Sequence, residues 1–224
     1  MNIYNRATRV AASTLGALVG LAGIDHGIFE IFQGPIRPEN WMIAAIGPDQ
    51  RFWVYGEETA LTVIPSFLIS GIFSVILGVI VTVWAIGFID LKYGALVLML
   101  LSLALFLVGG GFAPIFMALI ASLAASRIQK PLKFWRAVLL DPLRKFLGRI
   151  WKWVLIAFVI IFVFSVIVAT FGWPLTIYFG DETAFKHLKT LSFMMVGVML
   201  LAVLSAFAYD IQRQIQSELN THER

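Results

Sequence analysis

The chain has 224 residues, 60% of them hydrophobic and only 13% charged, with a formal net charge of +4 and a mean hydropathy of +0.89. A soluble domain of this size is about 45–50% apolar and about 25% charged, so the composition excludes a water-covered surface and points to an integral membrane protein. Cysteine is absent, which excludes disulfides, thiolate metal sites and thiol nucleophiles.

The expected fold class is all-α, a polytopic helical bundle, because lipid leaves an unpaired backbone without partners. The first span is expected over residues 10–32. The opening MNIYNRATRVAASTLGALVGLAG has the small residues of a signal peptide, but its apolar length reads better as that span. It closes in GIDHGIFEIFQG, residues 23–34, where Asp25, His26 and Glu30 stand within six positions. On a helix turning about 100° per residue, Glu30 falls about 40° from His26, beside the seam of Gly16, Gly20, Gly23 and Gly27. Small residues mark the side where helices approach in lipid. His26 and Glu30 are therefore expected to face protein, while Asp25 falls among Leu21, Phe29 and Phe32.

An outer segment, 34–58, follows. Its NWMIAAI is too short to span and is expected to dip into the interface, with Trp41, Trp53 and Tyr55 as anchors or as a lid. The second span is expected over 59–89, opened by Glu57 and Glu58 and striped by Ser66, Ser70, Ser74, Gly78 and Thr82 at a spacing of four. Packing is the favoured explanation of that stripe.

Residues 93–126 are long for one span and short for two. Three glycines and a proline in FLVGGGFAP, residues 106–114, break the run. They divide it into arms at 93–108 and 112–126, each about 24 Å long if helical. The next segment, 127–149, with its flanks at Ser126 and 150–152, holds eight of the seventeen Lys and Arg residues against one acid, Asp141. The positive-inside rule makes it cytoplasmic. A hairpin at 109–111 puts that segment and the N-terminus on one side, whereas a single long helix separates them. The expectation is six transmembrane helices with both termini cytoplasmic; five is the runner-up. Trp135, Val138, Leu139, Leu143 and Phe146 recur at helical spacing opposite Lys133, Arg136 and Arg144. That pattern predicts a basic amphipathic helix on the inner surface, bent at Pro142, with anionic inner-leaflet lipids as partners. Nucleic acid is not an expected partner, since the basic residues hug the membrane. The last spans are expected over 150–171 and 188–209, the former facing lipid, with Trp153 and Trp173 as its interfacial ends.

Under this topology Asp25, His26, Glu30, Glu57, Glu58 and His187 all lie toward the outer face and form a candidate polar cluster. His26, Glu30 and His187 are candidate ligands for a divalent metal; paired histidines would also suit a haem, on weaker grounds. Carboxylate and imidazole groups in a membrane also relay protons, but a plain interhelical clamp, partly hydrated near the interface, is the first expectation for the cluster. The leading functional expectation is a cell-membrane transporter of an ion or small solute, or the membrane subunit of a larger transport complex. The alternatives are a non-catalytic assembly subunit, with protein partners or a second copy, and an intramembrane acid–base or metal enzyme acting on a lipid-soluble substrate.

Overall fold

The computed structural model describes residues 4–222. The chain is mostly helical: α1 (Arg6–Gln33), α2 (Phe67–Gly87), α3 (Gly94–Leu107), α4 (Phe112–Ala125), α5 (Lys133–Val138), α6 (Asp141–Phe171), α7 (Leu175–Phe179) and α8 (Asp181–His222). Two three-residue strands, β1 (Met42–Ala44) and β2 (Thr59–Leu61), pair antiparallel with Ile43 opposite Ala60. Among the described residues, α1, α2, α6 and α8 are long and apolar enough to cross a membrane, while α3 and α4 are shorter apolar helices. Wide apolar faces remain exposed, including Ile72, Ile76 and Val83 on α2 and Ile156, Ile160 and Val163 on α6. That is the surface of a membrane protein rather than of a soluble one.

Three boundaries differ from expectation, each for a local reason. The second span does not begin at residue 59. Pro65 removes a backbone donor and disfavours helix before it, so α2 starts at Phe67, and Thr59–Leu61 pairs with Met42–Ala44 instead. Glu57 and Glu58 therefore sit in a loop before β2, and Met42–Ala44 of the NWMIAAI stretch form a short strand. The basic segment does not form one amphipathic helix bent at Pro142. It breaks at Leu139–Leu140; α5 is six residues long, and Pro142 occupies the first turn of α6, where its missing donor costs nothing. Arg144, expected on the polar side, is buried against α8 and its carbonyl accepts a bond from Gln212 Nε2 at 3.0 Å. The last helix starts at Asp181, well before residue 188.

α1 is the central element, packing on α2, α4 and α8. Its glycines let the α2 backbone approach directly: a Cβ on Gly20 would lie 2.3 Å from the Gly78 carbonyl oxygen, and one on Gly71 would lie 2.5 Å from that of Gly27. Ser74 Oγ donates to the Gly23 carbonyl at 3.0 Å across the same seam. α3 and α4 pack on each other and are joined by the glycine turn. Gly109 and Gly111 adopt φ of +105° and +82°, which favours glycine. Gly109 N bonds to Leu61 O (2.9 Å) and Val63 N to Leu107 O (3.0 Å), tying that turn to β2.

The helix ends sort into two groups. Residues 34–66 cap one end, touching the glycine turn, the end of α6 through Trp53 Nε1 to Ala169 O (2.9 Å), and the start of α8 through Tyr55 on Phe185. The opposite, basic end gathers the start of α1, the 126–130 turn and the end of α8. Asn5 Nδ2 donates there to the carbonyls of Arg127 (2.7 Å) and Lys130 (2.9 Å), and Gln214 Nε2 donates to Asn5 Oδ1 (2.7 Å).

Candidate functional site

α8 and α1 pack closely near the basic end. Ala7 and Ala11 of α1 pack there on Ala202 and Ala206 of α8, with Trp151 and Leu155 of α6 beside them. Alanine permits that approach. Toward the cap end α8 carries Leu188, Ser192 and Met195, and α6 carries Phe162, Ser165 and Val166. The helices leave between them and α1 a cleft of about 370 Å³. Ala22 and His26 of α1, the first residues of α4 and the cap residues Tyr55, Glu57 and Glu58 complete its wall.

His26 is 4% exposed and its Nε2 makes a close ion-pair contact with Glu58 Oε2. Burial alone would push the Glu58 carboxyl up, but the imidazole's charge and hydrogen bond override it and hold the group below the ordinary carboxylate range. The imidazole lies against the glycine turn. A Cβ on Gly111 would stand 2.3 Å from its Cε1, so only glycine leaves room for the ring. One turn further along α1, Glu30 is fully buried against Gly109. Neither of its oxygens has a hydrogen bond of good geometry. Ser70 neighbours it, but that hydroxyl is engaged with Val108 O (2.9 Å) and Thr62 Oγ1 (2.7 Å). His26 Nδ1 and Ser165 Oγ are likewise buried without partners.

The structure thus brings His26, Glu57 and Glu58 into one cleft and places Glu30 behind the turn that backs it. Asp25 is half-buried on the same helix. His187 is not brought in: it is exposed, its ring rests on Phe179 with centroids 5.1 Å apart, and it does not line the cleft. Phe185 and His187 are two positions apart on a helix and so point about 200° apart; Phe185 takes the inward direction. Among the described residues no group of three His, Asp or Glu side chains is spaced to hold a metal, so the His26, Glu30 and His187 set is not assembled. Nor are His26 and His187 paired as a haem would need.

The cleft also uses residues that sequence reasoning passed over. Ser165 interrupts WVLIAFVIIFVFSVIVATF, a run expected to face lipid, and its hydroxyl, one of two there with Thr170, was the available signal. Phe112 and Phe162 look like lipid-facing bulk until the packing of α6 on α8 is known. Trp53 is a buried strut, Tyr55 lines the cleft, and Trp41 is 72% exposed. Comparison with protein-family models, with curated proteins and with solved structures finds no match to this chain.

Proposed function

We propose that the chain is a six-span cell-membrane protein that moves a small solute, alone or as the membrane subunit of a larger transport assembly. In this reading α3 and α4 cross as short arms in a locally thinned bilayer, the cap end faces out, and both termini face the cytoplasm. The charge distribution supports that orientation. Arg6, Arg9, Arg127, Lys130, Arg136 and Lys145 lie at the basic end, whereas Glu39, Asp49, Glu57, Glu58, Asp181 and Glu182 lie at the cap end. Exposed aromatics Trp153 and Trp173 flank the apolar part of α6, one inside the helix and one just past its end, as interfacial anchors do. α5 and the first turns of α6 then rest on the anionic inner leaflet.

One observation carries the reading: the cleft lies toward the cap end, where Tyr55, Glu57 and Glu58 line it, none of the alanines packed at the basic end borders it, and an ion pair stands in its wall. An ionisable residue on a spanning helix that faces a cavity is by default a candidate for a solute or proton path. Among the described residues no His, Asp and Glu group is spaced to hold a metal, and His26 Nε2 is taken up by Glu58 rather than by a hydroxyl, which favours a path over metal or nucleophilic chemistry. The test uses proteoliposomes on a solid-supported membrane, challenged with amines, amino acids, organic acids and sugars. A solute-evoked current that Glu58→Gln abolishes in folded protein is expected. In parallel, a single cysteine at Ser192 should become reachable from the inner side in the presence of that solute. No evoked current, together with a position 192 reachable only from outside under every condition, would leave a binding cleft and remove transport.

A further inference from the structure

Three features of the cleft select among solutes. The first is charge. The ionisable side chains lining it are His26, Glu57 and Glu58. With His26 charged, the formal balance is one negative; with His26 neutral, it is two. Among the described residues no lysine or arginine lines it. Lys186 is bonded to Glu182 at 2.9 Å and Lys189 stands over the Phe185 ring at 4.3 Å. An anion in this cleft would meet a net negative lining: Glu58 is paired with His26, and the exposed Glu57 carboxylate is left uncompensated.

The second feature is aromatic. Tyr55 and Phe185 stack face to face, with centroids 4.3 Å apart and planes within 7°, across the mouth. Phe112 and Phe162 line the walls. Ring faces attract cations; Tyr55 and the Lys189 ammonium already cover the two faces of Phe185, which leaves Phe112 and Phe162 as the rings that a ligand's cation can meet.

The third feature is a missing bond. Ser165 lines the cleft and is 7% exposed, yet its hydroxyl has no partner. A buried hydroxyl without a bond costs about 1–3 kcal/mol, and an ammonium N–H would satisfy its oxygen. At about 30 Å³ per water, the cleft's volume of about 370 Å³ equals roughly a dozen waters, a match for an amine of about ten to fifteen heavy atoms.

We infer that the cleft selects a small organic cation, a protonated amine on an aryl or alkyl body, with the ammonium held by the Glu57 and Glu58 carboxylates and the Ser165 hydroxyl. The inference rests on the cleft being a solute site. Its test is equilibrium binding rather than flux. The full chain in nanodiscs is titrated calorimetrically with 4-phenylbutylamine and, as the charge-inverted control, 5-phenylpentanoate, with empty nanodiscs as blank. The amine should bind saturably, one per chain, and the carboxylate at least tenfold more weakly. Glu57→Gln, an exposed position that leaves the His26–Glu58 pair intact, should weaken the amine about threefold, as befits a partly solvated pair. Ser165→Ala should weaken it about fivefold with an unchanged or higher melting temperature. Equal binding of the carboxylate, or amine binding indifferent to both substitutions, would overturn the inference. Solute-evoked currents without amine binding leave transport standing and refute the cation. Amine binding without currents, together with a position 192 reachable only from outside, keeps the cation and refutes transport.

Discussion

α1 and α8 meet at the basic end and part at the cap end, and their polar residues differ accordingly. Where they meet, Asp210 of α8 is buried yet fully engaged: its carboxylate accepts bonds from Thr8 N (2.7 Å), Thr8 Oγ1 (2.8 Å) and Ala7 N (3.2 Å). Those amides lie in the first turn of α1, whose donors have no partner within the helix, and a carboxylate there also favours the helix dipole. Alanines on both helices allow the approach. Where they part, polar groups at the cleft are left wanting: among the described residues His26 Nδ1 and Ser165 Oγ have no hydrogen-bond partner. Burying such groups without bonds is costly, so the α1–α8 contact and the cleft obey opposite logics. Satisfied polar groups and small residues close an interface. Unsatisfied ones beside a cavity mark a place kept for something else.

The contrast can be broken most severely at its closed end. Asp210→Ala strands two backbone amides and a hydroxyl in a buried setting and should lower unfolding stability by about 3 kcal/mol, read by thermal denaturation in detergent. Next in size is a wedge in the glycine seam. Gly20→Ala puts a methyl 2.3 Å from the Gly78 carbonyl oxygen and should cost about 1–3 kcal/mol. Gly197→Ala on α8 meets nothing within 4 Å and should be neutral or slightly stabilising by helix propensity. The open end should respond in the opposite direction from Asp210. Ser165→Ala removes an unpartnered hydroxyl and should leave stability unchanged or raise it by up to about 1 kcal/mol. A loss of 2 kcal/mol there would mean that the hydroxyl is engaged after all.

The smallest effect belongs to the rim of the basic end. The Tyr4 hydroxyl donates to Asp90 Oδ2 at 2.7 Å and Arg9 lies 3.6 Å away, so Asp90 is held below the usual carboxylate range, chiefly by the tyrosine bond. A depressed folded pKa stabilises above the unfolded value of about 3.9 and is lost as pH falls through the folded one. Asp90→Asn should therefore cost less than about 1 kcal/mol at pH 7, with the gap to the parent protein closing below about pH 4.

Much of this was legible in the chain. Long apolar runs revealed the helices, and the glycine triplet with its proline marked the turn between α3 and α4, because such local signals do not depend on partners. The inward direction of His26 and Glu30 followed from their angle to the glycine seam. The partner of His26 did not. Glu58 was grouped with it by its place toward the outer face, but so was His187, and a two-residue difference in helical phase turned that side chain outward. The loop before α2 was hidden because Thr59–Leu61 is as apolar as a helix end, and only Pro65 hinted at the later start. The cleft depends on where α8 leaves α1, a matter of alanine against leucine and methionine on facing helices. That pairing is visible only once it is known which helices face each other.

Relative accessibility along α8 tests the central claim directly. The chain has no cysteine, so single cysteines at Ser192, which lines the cleft, and Ala206, fully buried in the closed end, can be compared in intact vesicles with a membrane-impermeant thiol reagent added outside. Rapid labelling at 192 and none at 206 is the expected result. Equal labelling at both positions, or an inert 192, would contradict a cleft open at one end and closed at the other.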